Sequence, residues 1–372
     1  MTRVLFVTSG LGVGGAERAL ETLLPGLRAR GLELAVVSLR GPQEVGARLR
    51  AAGITVHELG MAPSRPSLRG LLALWRVTRA WRPDVLQGWM YHGNLAAQLA
   101  RLAAPRARVV LGIHQTLTRL EFERPATRAV IRADAWLSRF AARVLYVAQA
   151  AVSGHEAAGY VRRAVVLPNA IDTTRFRPDA QARAAVRSGL GLAPDARLVG
   201  LVGRLHPAKN HAGFLRAAAM VAAECPHARF LLVGAGVEPA TPALAPLLEA
   251  PALRGRVFAV GAQADVPRWL AACDLSVLSS LQEALPNVVS EAMSCGLPCV
   301  VTDVGDAGRM IGDTGWLVPP DDDDALAYAM LRALAEDAPA HARRGEAARA
   351  RALAHFAQDA VADRYAELYG RL

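Results

Sequence analysis

Two glutamates eight positions apart, Glu283 and Glu291, flank a proline that suits only the start of a helix. Pro286 has no N–H and holds φ near the helical value, so it belongs at a helix opening and not in an interior. Gly296 and Pro298 then stop that helix after roughly three turns. Glu283 falls in the loop before the helix, and Glu291 roughly two turns inside it. Between them lie the N–H groups of a helix N-terminus, which favour a bound anion. A loop acid, an anion-binding helix end and a second acid suit a sugar, a diphosphate and a ribose in that order. The same spacing also fits a surface helix with two solvated glutamates.

The cations for such a site stand in Gly203–Asn210, where Arg204 and Lys209 are separated by a proline-containing turn. Arginine offers a planar fork and lysine a point charge, a pair suited to a diphosphate. Of the 43 basic residues, 42 are arginine, and Lys209 is the single lysine. Upstream, His92 lies just past an apolar run in Gln87–Asn94, where a neutral imidazole can hydrogen-bond a sugar hydroxyl or move a proton. Gly10, Gly12 and Gly15 satisfy the G-x-G-x-x-G spacing. A dinucleotide fingerprint also needs an acid closing the second strand, and here that strand ends Ser38, Leu39, Arg40. An arginine of the NADP-binding type keeps a dehydrogenase open as an alternative.

These residues must be held by strands and helices in alternation. Val4–Thr8, the glycine loop and a helix from Ala16 to Gly31 open the pattern, and apolar runs at Leu34–Leu39, Val85–Gln87 and Val109–Leu111 continue it. A second series begins at Leu198–Val202 and repeats at Phe230–Val233, Val257–Val260, Leu275–Leu278 and Cys299–Thr302. This is the βαβ rhythm of parallel sheets, which bind ligands at the carboxyl ends of their strands. The expected architecture is α/β: two Rossmann-like, doubly wound domains facing each other across a cleft. The first is expected over residues 1–175 and the second over 176–353, with a final helix at 354–372 packing back on the first.

At 372 residues the chain is long enough for two cores, and 52% hydrophobic residues with 5% aromatic suit a soluble α/β protein. No leader or spanning segment is expected, and four cysteines without metal-type pairing point to a reducing, cytoplasmic setting. Residues 1–170 hold 23 arginines against 10 acids, a net of +13, while the remainder of the chain is net −3. Without interleaved aromatic residues that basic half does not suit nucleic acid. It suits an anionic membrane surface or an acidic substrate. Arg128, Arg132, Arg139 and Arg143 are spaced for one helical stripe, with Val130, Leu137, Ala141 and Val144 opposite. Leu68, Leu71, Leu72 and Trp75, with Arg69 and Arg76 beside them, mark another amphipathic stretch.

Taken in order, Gly14–Arg18, Trp89–His92, Pro168–Asp172, Gly203–Lys209, Glu283–Glu291 and Trp316–Pro320 resemble the motifs of the retaining glycosyltransferases of family 4, which have the GT-B fold. The resemblance implies that Arg204, Lys209, Gly14 and Gly15 hold the donor diphosphate and that Glu291 binds the ribose. It implies that Glu283 and His92 work at the sugar, with backbone contacts from Leu285, Pro286, Asn287 and Val288. It further implies a nucleotide-diphosphate sugar as donor substrate, no cofactor and no metal, and a glycan or lipid-linked acceptor. One position departs from the pattern: Ala284 stands where glycine is usual, which bears on the sugar accepted. A catalytically silent GT-B subunit that scaffolds a membrane complex is the second alternative.

Overall fold

A computed structural model describes residues 1–12, 14–62, 67–117, 120 and 124–372. The chain divides into two compact units: Met1–Ala170 with Gln358–Leu372, and Ile171–Ala357.

The first unit runs β1 (Arg3–Thr8), α1 (Gly15–Ala29), β2 (Glu33–Ser38), α2 (Glu44–Ala51), β3 (Thr55–Glu58), α3 (Leu68–Trp81), β4 (Val85–Trp89), α4 (Met90–Ala100), β5 (Arg108–Ile113), α5 (Pro125–Leu137), β6 (Arg143–Tyr146), α6 (Ala150–Ala157) and β7 (Ala164–Val166). Its sheet has the order β3-β2-β1-β4-β5-β6-β7, with the adjoining strands parallel. Strands covered by helices on both faces need apolar side chains on both. Val4, Leu5, Phe6 and Val7 are accordingly all buried, with Val4 and Phe6 in one cluster and Leu5 and Val7 in another.

The second unit runs α7 (Ala180–Gly189), β8 (Arg197–Val202), α8 (His211–Glu224), β9 (Ala228–Val233), α9 (Ala245–Leu248), β10 (Val257–Ala259), α10 (Val266–Ala272), β11 (Leu275–Leu278), α11 (Asn287–Ser294), β12 (Cys299–Thr302), α12 (Ala307–Ile311), β13 (Trp316–Val318), α13 (Asp323–Leu334) and α14 (Ala338–Phe356). Its sheet order, β10-β9-β8-β11-β12-β13, repeats the winding of the first. The chain's last helix, α15 (Gln358–Gly370), belongs to the first unit and packs on α1. Arg30, the residue that caps the end of α1, pairs with Asp359 and Asp363 there, and the Tyr369 hydroxyl donates to Gln87 Oε1 at 3.0 Å.

Three expectations are corrected. The helix after Pro286 has eight residues in place of three turns, because the Gly296 N–H turns back to Met293 O at 2.9 Å and the Leu297 N–H to Ala292 O at 3.1 Å. The arginine stripe is broken: α5 ends at Leu137, Arg139 lies in a following 3₁₀ turn, and Arg143 opens β6. The helix expected from residue 354 is two helices, meeting at the extended residue Ala357.

Candidate functional site

In an open parallel sheet a crevice forms where successive crossovers go opposite ways, between β8 and β11 in the second unit and between β1 and β4 in the first. The candidate residues sort onto these two places.

β8 delivers Gly203–Asn210. The Gly203 N–H bonds Val233 O at 2.8 Å and the Leu205 N–H bonds Ala235 O at 2.8 Å, so the chain leaves the sheet still tied to its neighbour. Pro207–Lys209 form one 3₁₀ turn. Asn210, in the left-handed region with φ 49°, then caps α8 by accepting from the Gly213 N–H at 3.1 Å. β11 delivers the partner loop. Its Ser279 hydroxyl donates to Lys209 O at 2.9 Å, and the Leu281 N–H bonds Ala208 O at 2.8 Å. With the loops joined, the Lys209 ammonium meets Glu283 Oε1, which also accepts from the Ser280 hydroxyl at 2.7 Å. The two ion-pair side chains keep 27% and 14% of their exposure, so the pair is partly shielded yet reachable. Arg204 remains exposed on the same loop.

Ala284, Leu285 and Pro286 lead into α11. Pro286 is its N-cap and has no polar side chain to cap with, so the helix N-terminus receives no side-chain acceptor from that position. Glu291 is the fifth residue of α11, roughly one turn in, and half-buried. Leu285 and Val288 pack on the unit's core, which fixes the loop from below. The loop after β12 fixes it from the side: the Asp306 N–H bonds Ala284 O at 2.9 Å, and Gly305, at φ 58°, lies so close that a Cβ there would stand 2.3 Å from that oxygen. The Ala284 methyl is buried at 9% exposure.

In the first unit β1 leads to the glycine loop, of which Val13 lies outside the described residues. Gln43 Oε1 accepts from the Leu11 N–H at 2.7 Å, and the Val45 N–H bonds Leu11 O at 3.0 Å, bracing the loop against the segment before α2. Gly14 is the N-cap of α1 and Gly15 its first residue. The Glu17 carboxylate folds over Gly14: a Cβ there would sit 2.3 Å from Oε2. His92 is the third residue of α4 and keeps an exposed edge, and partial desolvation together with the Arg40 charge lowers its pKa.

The structure thus brings Lys209 and Glu283 together, with Arg204 and α11 on the same two loops. It places Gly14, Gly15 and His92 at the two strand-to-helix junctions of the other crevice. One residue of the same kind was missed. His114 directly follows β5, its ring 4.0 Å from the Trp89 ring, and Asn169 of the Pro168–Asp172 motif lies beside it. Burial drives its pKa down to about 3 and keeps the imidazole neutral. The strand-end rule that singles out His92 applies equally to this position.

Comparison with known proteins gives a consistent result. The family described as Glycosyltransferase Family 4 matches residues 13–175, and that described as Glycosyl transferases group 1 matches residues 196–336. The chain is 27% identical over 275 residues to the UDP-Gal:alpha-D-GlcNAc-diphosphoundecaprenol alpha-1,3-galactosyltransferase of Escherichia coli, covering 71% of this chain and 70% of the relative. It is 27% identical over 368 residues to the lipopolysaccharide core biosynthesis mannosyltransferase LpsB of Rhizobium meliloti, covering 95% and 98%. In structure it is similar to HepE of Anabaena in complex with UDP, with a TM-score of 0.86 over 100% of both chains at 24% identity.

Proposed function

The chain belongs to glycosyltransferase family 4 and has the GT-B fold, and from that premise we propose that it moves a sugar from a nucleotide-diphosphate donor to a glycan or lipid-linked acceptor, with retention of configuration. The observation that carries this reading is the Lys209–Glu283 pair, set beside the N-terminus of α11 at the β8/β11 crevice. Breaking the bond to the anomeric carbon leaves charge on the diphosphate, and Arg204, Lys209 and the helix end supply positive potential there. Glu291 accepts hydrogen bonds from the ribose, while Leu285, Pro286, Asn287 and Val288 offer backbone contacts. Gly14 and Gly15 let the first unit's backbone approach the phosphates, and His92 meets the sugar.

Glu283 is held by the Lys209 ammonium and the Ser280 hydroxyl. A carboxylate so engaged suits orientation and charge stabilisation better than covalent attack. In this reading neither metal nor cofactor is required, and a chelator leaves transfer intact. The named activity of the E. coli relative makes UDP-sugars the first donors to try.

The test is a panel of UDP-, GDP- and ADP-sugars scored for binding and slow hydrolysis, repeated with Lys209→Ala. Loss of one positioned charge from a diphosphate site is expected to lower kcat about 100-fold or more while the protein stays folded. Full activity in Lys209→Ala would sink the assignment. Absence of nucleotide binding by calorimetry would favour the silent scaffold.

A membrane face is supported by one surface of the first unit. Leu68 and Leu72 of α3, Leu102 after α4, and Trp136 and Phe140 around the end of α5 are exposed. They lie on connected elements: the Trp75 indole N–H bonds Leu99 O at 2.9 Å, and Arg101 bonds Phe140 O at 2.9 Å. Arg69, Arg76, Arg132 and Arg139 are exposed among them, the combination that suits an anionic bilayer. Action at the cytoplasmic face of the membrane is part of the same reading.

A further inference from the structure

The turn that carries His92 is held on every other side. Met90, at φ 64°, swings the chain out of β4 in a backbone region that non-glycine residues seldom occupy. The Tyr91 hydroxyl meets His155 Nε2 at 2.7 Å, and His155 Nδ1 meets Ala151 O at 2.7 Å, so the ring donates through Nδ1 and accepts at Nε2. Gly93 lies against β1 so closely that a Cβ would stand 2.3 Å from Val7 O. Of residues 91–94, only His92 is exposed.

Asn94 does more than close the turn. The β4–β5 ladder is formed as far as Gln87 opposite Val110. Two residues further along β5, the fully buried Asn94 side chain pairs with the backbone instead. Its Oδ1 accepts from the Gly112 N–H at 2.8 Å, and its Nδ2 donates to Gly112 O at 3.1 Å. The side chain replaces a strand rung, and Gly88 leaves room for it, since a Cβ there would be 2.5 Å from Asn94 Oδ1. Nδ2 also donates to Asp134 Oδ2 at 3.2 Å, an oxygen that accepts from the Tyr160 hydroxyl at 2.9 Å. Asp134 Oδ2 accepting from Nδ2, and the Gly112 N–H donating to Oδ1, together fix which way the amide points. Asn94 stands two residues after His92, and Gly112 two residues before His114.

We propose that Asn94 is the positioning residue for both strand-end histidines, holding the His92 turn and the His114 strand end in one fixed register, with Asp134 setting the direction of its amide. A buried amide held by three bonds at once, to the Gly112 N–H, Gly112 O and Asp134 Oδ2, favours one geometry, as preorganised sites require. This rests on the reading that His92 meets the donor sugar.

The experiment uses the full chain with the sugar nucleotide that the donor panel identifies. Asn94→Asp keeps the shape but turns the donating atom into an acceptor facing Gly112 O and Asp134. Its kcat is expected to fall about 100-fold, the scale of a small misplacement of reacting groups. KM for the sugar nucleotide should stay within about 2-fold, because Arg204, Lys209 and Glu283 are untouched. Asp134→Leu should behave like Asn94→Asp, and Asp134→Asn, which keeps an acceptor, should restore kcat. Nitrogen-15 histidine spectra should show both the His92 and His114 imidazoles shifted in Asn94→Asp. A folded Asn94→Asp with unchanged kcat, or with either imidazole unmoved, overturns the proposal. If Asn94→Asp does not fold, Asn94→Ser is read by the same criteria. Failure of the wild-type protein to turn over any sugar nucleotide would instead count against the functional reading, and the imidazole spectra would still decide the role of Asn94.

Discussion

At the scale of single residues, the placement of Glu283, Arg204, Lys209 and His92 at the ends of strands or before a helix was legible because each sits next to local punctuation, whereas Glu291 lies roughly one turn into its helix and not two. Pro286 marks a helix start, and apolar strands end just before Gly203 and Met90. That Lys209 would meet Glu283 was not legible, since 74 residues separate them and only the adjacency of β8 and β11 joins their loops. Asn94 was invisible for another reason: in an alanine-rich helix it reads as a solvated polar residue, yet it is fully buried. Its partner Asp134 has a pKa raised to about 7 by burial, so the fold holds that proton more tightly than the unfolded chain. The resulting stability is complete below the ordinary carboxyl value of about 4 and is lost as pH climbs through about 7. His155, lowered to about 4, acts in the opposite sense: its contribution is present above about 6.5 and is lost as pH falls towards 4. Between pH 5 and pH 8 the melting temperature of Asp134→Asn, measured against wild type, should therefore move in favour of the variant. A constant difference would show that Asp134 does not titrate there.

At the scale of elements, the apolar runs were readable: β1, β2, β4, β5, β8, β9, β10, β11 and β12 all fall where alternation places them. The strands that were missed, β3, β6, β7 and β13, are three or four residues long. Such short segments carry too few side chains for a period to show, and β10, β11 and β12, no longer, were read from their place in the repeating series. α5 was overextended because helical spacing of its arginines continues past Leu137, where the chain has already turned into a 3₁₀ segment. The loop bearing Glu283 depends on its neighbour after β12. Gly305→Ala puts a methyl group 2.3 Å from Ala284 O on a backbone of φ 58°. It should cost about 1–3 kcal/mol, roughly 2–4 °C of melting temperature per kcal/mol for a unit this size. Gly189→Ala, where a Cβ meets nothing within 4 Å, should cost nothing measurable by the same thermal scan.

At the scale of the whole molecule, the net charge of +10 comes from the first 170 residues, which carry +13. Among the described residues no helix is long and apolar enough to cross a membrane. A docking face made of arginines and scattered exposed apolar side chains binds through attraction that salt screens. Vesicles containing phosphatidylglycerol should pellet with the full chain at low salt and release it as salt rises, while phosphatidylcholine vesicles should hold little. Leu68→Glu with Trp136→Glu should weaken the low-salt binding, and binding indifferent to salt would count against the face. The composition has one more effect. Because Lys209 is the only lysine of the chain, a lysine-specific protease has one peptide bond to cut, and an acylating reagent has one ε-amino group besides the terminal amine. Half-sheltered by Glu283, that amine would carry a single fluorophore, cross-linker or mass label to the heart of the second unit without any engineering of the chain.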